Sequence, residues 1–368
     1  MKKNNRRVFL LLAAASVLAL AGCAKGSASN TESTASASQE SSSAKDAESK
    51  VAAEAETETS AKADTEDGKL RVMASFYPMY DFATKIGGKY ADVTNMVPAG
   101  TEPHDWEPAA TDIKNLEQAD LFIYSGAGME HWAEDVLKSL SNQNLISVEA
   151  SEGIELLPGH EEEEEAHAEE EESHAKEQTE KQPEGETAED DHDHGAYDPH
   201  VWLSPLNAKK EMENIKNGFV KADPAHADYF EENYTTYAAK LDELDEAFKT
   251  KLADVPHKEI VVNHEAFGYL CKAYGLTQLG ISGLSPDEEP DPKKMAEITD
   301  FVKEHQVKVI FSEELVSPKV AESVASETGA SVEVLNPLEG LSDEELAAGA
   351  DYFSVMEENL SKLVKALS

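Results

Sequence analysis

The sequence predicts an α/β protein of two lobes, each with a central, mostly parallel sheet flanked by helices, joined by one long rigid helix. Three observations carry this. Short apolar runs alternate with helical stretches in two separate series, the pattern of parallel sheets with crossover helices. Between the series, Phe230, Tyr234, Tyr237, Leu241, Leu244 and Phe248 recur at spacings of four and three, one apolar stripe on a long helix. Three histidines with similar Pro, Asp or Asn neighbours stand in both halves of the chain, as a site clamped between lobes requires.

The first series fills residues 69–222. Leu70–Phe76 reads as a buried strand that Tyr77-Pro78 ends, and Tyr80–Ile86 as a helix closed by Gly87-Gly88. Val93–Val97 is a strand, Thr111–Gln118 a helix, Leu121–Tyr124 a strand, Trp132–Leu140 a helix and Leu145–Val148 a strand. Asp223-Pro224 supplies an N-cap and a first-turn proline, so the linking helix is expected within 223–254. A helix of that length spans roughly 40 Å at about 1.5 Å per residue and reads as a spine.

The second series fills residues 255–368. Glu259–Asn263, Leu276–Leu279, Val307–Phe311 and Ser331–Leu335 read as strands. Ala266–Tyr274, Lys294–His305, Val316–Thr328 and Tyr352–Leu367 read as the helices between and after them. His264 and Glu339 then fall just past strand ends, where ligands bind in open α/β sheets.

Residues 1–22 read as a processing signal: a basic start, then the apolar run Val8–Leu20, short of the ~20 residues a membrane span needs. Leu20-Ala21-Gly22-Cys23 resembles a bacterial lipobox, which implies lipidation of Cys23 and a tethered, extracytoplasmic protein. Residues 23–68, rich in Ser, Ala, Thr and Glu and free of aromatics, are expected to be a disordered tether. Cys271 is then without an intramolecular partner and reads as a small buried hydrophobe.

A formal net charge of −42 excludes a general nucleic-acid binder. Much of that charge is local to an insert at 159–195, where Glu and Asp runs interleave with His160, His167, His174, His192 and His194. Such a tract offers weak nitrogen ligands beside carboxylates, an auxiliary low-affinity metal collector.

His104, His200 and His264 are the candidate ligands. Glu339, Glu102 or a water fills the fourth place, a set suited to tetrahedral zinc. His131, His226, His257 and His305 read as polar surface residues. Asp105, Asp198 and Asn263 are candidate partners for the ring nitrogens that face away from a metal. A catalytic zinc site is the competing class. His264-Glu265-Ala266-Phe267-Gly268 starts like a zinc-protease helix, but Gly268 stands where its second histidine belongs. No Gly-x-Ser-x-Gly elbow appears either, and the reading is a non-enzyme.

The lipobox, Thr101–Pro108, Asp198–Leu203, Val262–Phe267, Gly280–Ser282, Asp287–Pro290 and Leu335–Glu339 together resemble the zinc-uptake solute-binding lipoproteins of ABC importers. The likeness runs from about Leu70 to the C-terminus. It implies that His104, His200, His264 and Glu339 ligate Zn²⁺, and that the protein acts as a monomer on a membrane permease. The manganese and iron relatives of that family, and a surface adhesin, are the alternatives. Three nitrogen donors favour zinc over manganese.

Overall fold

A computed structural model of the protein describes residues 68–159, 197–286 and 290–368. Cys23, the signal, nearly all of the tether, the five insert histidines and Asp287, Glu288 and Glu289 lie outside the described residues.

Two four-stranded sheets, parallel throughout, repeat one topology. The first has β1 (Leu70–Ala74), β2 (Ala91–Asn95), β3 (Leu121–Tyr124) and β4 (Ile146–Glu149) in the order β2-β1-β3-β4. The second has β5 (Glu259–Val262), β6 (Thr277–Gly280), β7 (Val309–Ser312) and β8 (Ser331–Val334) in the order β6-β5-β7-β8. The central strands β1, β3, β5 and β7 are largely apolar runs because both of their faces are covered, whereas β2, β4, β6 and β8 carry exposed polar residues. In β5, Ile260 and Val262 face a core that runs through both lobes, while Val261 faces a second core under the outer helices. In β1, Val72 and Ala74 join the shared core and Met73 joins an outer cluster with Phe122 and Trp132.

The first sheet is flanked by α1 (Tyr77–Gly87), α2 (Ala110–Leu116) and α3 (Ala133–Ser139). Tyr77-Pro78 opens α1 rather than ending a strand, because proline's fixed φ suits a first helical turn. Next comes α4 (Pro205–Ala222), a helix the sequence reading did not contain, which buries Ala208, Glu211, Met212, Ile215 and Phe219.

The linking helix α5 is Ala227–Leu252, 26 residues or about 39 Å. Pro224–His226 forms a 3₁₀ turn ahead of it, so the α-helix starts after the Asp223-Pro224 signal. It packs on α1 and α4 at one end and on α6 (Gly268–Tyr274) and α10 (Tyr352–Leu367) at the other. The second sheet is completed by α7 (Pro292–Glu304), α8 (Lys319–Thr328) and the short α9 (Asp343–Ala348). Among the described residues no helix is long and apolar enough to cross a membrane.

The lobes are cross-linked beneath their interface. Trp202, fully buried and in edge contact with Phe76, donates its indole N–H to the Pro337 carbonyl at 2.8 Å. The Tyr352 hydroxyl donates to the Trp202 carbonyl at 2.7 Å. On the spine side, Lys85 of α1 meets Asp81 at 2.6 Å and Asp351, the N-cap of α10, at 3.0 Å.

Candidate metal centre

Strand order decides where the site lies. In each sheet the order in which strands are laid down reverses between the two central strands, and in the second sheet these are β5 and β7. Residues just past their carboxyl ends therefore face one crevice. His264 follows β5 and Glu313 follows β7, and the two meet there: Glu313 Oε1 accepts the His264 backbone N–H at 3.2 Å and its Nδ1–H at 2.8 Å. His200 is held in the same manner from the other lobe. Asp198 Oδ1 accepts its backbone N–H at 2.9 Å and its Nδ1–H at 2.8 Å. With Nδ1 used as donor, each ring turns Nε2 and its lone pair inward.

His104 arrives on the loop after β2. The Glu102 carboxylate accepts its backbone N–H at 3.0 and 3.1 Å, and Gly100 N–H ties the loop to the Leu341 carbonyl of the other lobe. Glu339 follows β8. The chain turns it inward through Leu338, fully buried and left-handed at φ 61°, a conformation that costs of order 1–2 kcal/mol for a residue with a side chain. Asn336 stabilises that turn by accepting Leu338 N–H at 2.7 Å, and Asn359 brackets Asn336 through two hydrogen bonds.

These four residues converge. His104, His200 and His264 each place Nε2 3.0–3.3 Å from Glu339 Oε1, and all four donor atoms lie within 4.8 Å of one another. The edge of a tetrahedron around zinc, from metal–nitrogen bonds of about 2.0–2.1 Å, is about 3.3–3.4 Å. The donors are thus spaced for one small ion. The His200, His264 and Glu339 side chains are at most 1 % exposed and His104 is 11 % exposed, so His104 forms the mouth. Glu102 stands beside it, 4.0 Å from His104 Nε2.

The electrostatics follow from this crowding. Burial works against a proton on His264, but Glu313 and Glu339 outweigh it and hold the imidazole well above its ordinary value. Burial opposes ionisation of Glu339 as well, yet His264 and the hydrogen bonds from all three rings hold it well below the carboxylate range. His104, with no carboxylate on its far nitrogen, is pushed down by burial. Glu102 is raised to about 7 by burial and by the charge of Glu339.

Of the expected ring partners, Asp198 is in place on His200, whereas His264 is held by Glu313 rather than Asn263. Sequence reading missed Glu313, the residue directly after β7. It also passed over the use of Gly268. A Cβ there would run into the Asp198 carboxylate, so the absent side chain is what lets Asp198 reach His200. Trp202, tilted against His200 with ring centroids 5.4 Å apart, and Phe267 wall the cluster as buried packing. Cys271 is buried, its thiol pushed up by desolvation.

A sequence model described as "ZnuA: Zinc-uptake complex component A periplasmic" matches residues 72–366. The chain is similar to the "High-affinity zinc uptake system protein ZnuA" of Bacillus subtilis, 46% identical over 299 residues that cover 81% of this chain and 88% of that protein. It is 41% identical over 302 residues to the "Zinc-binding protein AdcA" of Streptococcus pyogenes, spanning 81% of this chain but only 56% of that relative. Among solved structures, the Zn(II)-bound ZnuA-like domain of Streptococcus pneumoniae AdcA superposes with a TM-score of 0.66 at 36% identity, covering 82% of this chain and 99% of that one.

Proposed function

Because this chain belongs to the zinc-uptake complex component A family, we propose that it is the extracytoplasmic receptor of a zinc importer, which captures Zn²⁺ between its lobes and passes it to an ABC-type membrane permease. One observation carries the reading: three imidazole nitrogens and one carboxylate oxygen, drawn from both lobes, converge within 4.8 Å. We assign His104, His200, His264 and Glu339 as the ligands. This set suits a borderline metal, whereas manganese favours more oxygen. With Glu339 in the fourth place no open position remains for a metal-bound water, so the site binds rather than hydrolyses.

The remaining assignments rest on sequence. Cys23 carries the lipid that tethers a monomeric receptor to the outer face of the cell membrane. His160, His167, His174, His192 and His194 gather zinc weakly and raise its local supply.

Competitive binding of zinc against manganese, in wild type and in His264→Glu, tests the function. Tight one-site zinc binding that collapses in the variant supports it. Manganese preference in the wild type moves the protein to the manganese branch, and no tight binding sinks the transport reading.

A further inference from the structure

Two histidines outside the four-donor cluster line one cleft with a carboxylate at the far end of the second sheet. There, at the amino ends of β5 and β7, lies a cleft of about 290 Å³, including the space open to solvent, lined by His257, Glu259, His305 and Lys308. His257 stands two residues before Glu259, on the segment that enters β5, and lines the same cleft. His305 caps the carboxyl end of α7 and stacks on Phe301, with ring centroids 4.1 Å apart. That stacking leaves its Nδ1 4.0 Å from Glu259 Oε1.

The surroundings favour a cation. α7 and α10 both end at this cleft, and the unpaired carbonyls of a last helical turn carry partial negative charge. Leu367, at the end of α10, already accepts the His257 backbone N–H. Lys308 is engaged elsewhere, donating to the Ser368 carbonyl. The Lys258 amide holds the Glu259 carboxyl below its ordinary range, and both imidazoles act in the same direction.

We propose that His257, Glu259 and His305 form a second site for a divalent cation of the zinc class, completed by water. Two nitrogens and one carboxylate oxygen select zinc over magnesium or calcium, which take oxygen. The site is weaker than the primary centre. Among the described residues only the primary four donors converge within 4.8 Å, so here the rings must rotate onto the ion. Both side chains that flank the cleft leave room for this, His305 being 36% and Glu259 32% exposed. The site is remote from the primary centre, which sits at the opposite ends of the same strands.

The test is a zinc titration of the full chain with ¹⁵N-labelled histidine side chains, read by NMR. After the first equivalent fills the primary centre, the His257 and His305 rings should shift together along one binding curve. Glu259→Gln should move that curve to at least about fivefold higher zinc, and magnesium at the same concentrations should leave both rings unmoved. Rings that shift with separate midpoints or not at all, a curve unchanged by Glu259→Gln, or an equal response to magnesium would each overturn the proposal. The first-equivalent behaviour reports the primary centre separately.

Discussion

Glu313 holds His264 with a single oxygen, Oε1, which takes both the backbone N–H and the Nδ1–H of that residue. One carboxylate thereby fixes main chain, ring orientation and tautomer together. Replacing Glu313 by Ala should weaken zinc binding about 10- to 100-fold while the fold persists. Glu313→Gln, which keeps an acceptor, should recover part of the loss. Chelator competition with circular dichroism checks both; equal affinity in all three proteins would remove Glu313 from the centre's support.

Zinc and protons should compete at this centre. The two carboxylates beside His264 favour a proton on its ring in the metal-free protein and raise it well above 6.5, so zinc and that proton compete for the imidazole. Affinity should fall between about pH 7.5 and 5.5, with proton release detectable by calorimetry in buffers of different ionisation heat. Flat affinity across that range would contradict the imidazole ligands.

The same shifts set the stability of the metal-free protein. The contribution of His264 is complete below the ordinary imidazole value of 6.5 and is lost as pH rises through its raised value. That of Glu339 is present above 4.5 and is lost as pH falls through its lowered value. Both are complete between 4.5 and 6.5, so the metal-free melting temperature should decline toward alkaline pH. The rise in melting temperature caused by zinc should grow over the same interval.

Gly268→Ala should lower zinc affinity without touching a ligand. The new methyl meets the Asp198 carboxylate and Leu157, and Asp198 must let go of His200 to make room. Affinity lost in step with a shifted His200 ring resonance is the expected result. A variant that merely melts earlier, with wild-type zinc binding, would show that Gly268 serves packing alone.

Lys85 lies between two carboxylates from different lobes, and its side chain is only 12% exposed. Lys85→Met would leave Asp81 buried without its cation, a loss of about 3 kcal/mol. Denaturant unfolding of the metal-free protein measures it. Restoration by Asp81→Asn in the same chain would assign the loss to the stranded charge.

The central strands were readable because they are largely apolar runs buried on both faces, and Leu121–Tyr124 matches residue for residue. The α4 helix was not readable for the converse reason. Its buried side includes Glu211, Lys216 and Gly218, which interrupt the stripe that periodicity detects. Histidines are few in this chain, so each one beside Pro, Asp or Asn stands out. Carboxylates are abundant, with 74 Asp and Glu residues, and Glu313 carries no local mark to separate it from solvent-facing acids. Only the strand order, which brings β7 beside β5, reveals its partner.

The two hydrogen bonds that run through Trp202, to Pro337 and from Tyr352, pin one lobe to the other directly under the ion's seat. A seat whose width is fixed before its occupant arrives works as a gauge, accepting ions by size and donor preference rather than by wrapping around them. It also holds what it accepts. Any parting of the lobes that frees the ion must break those two bonds.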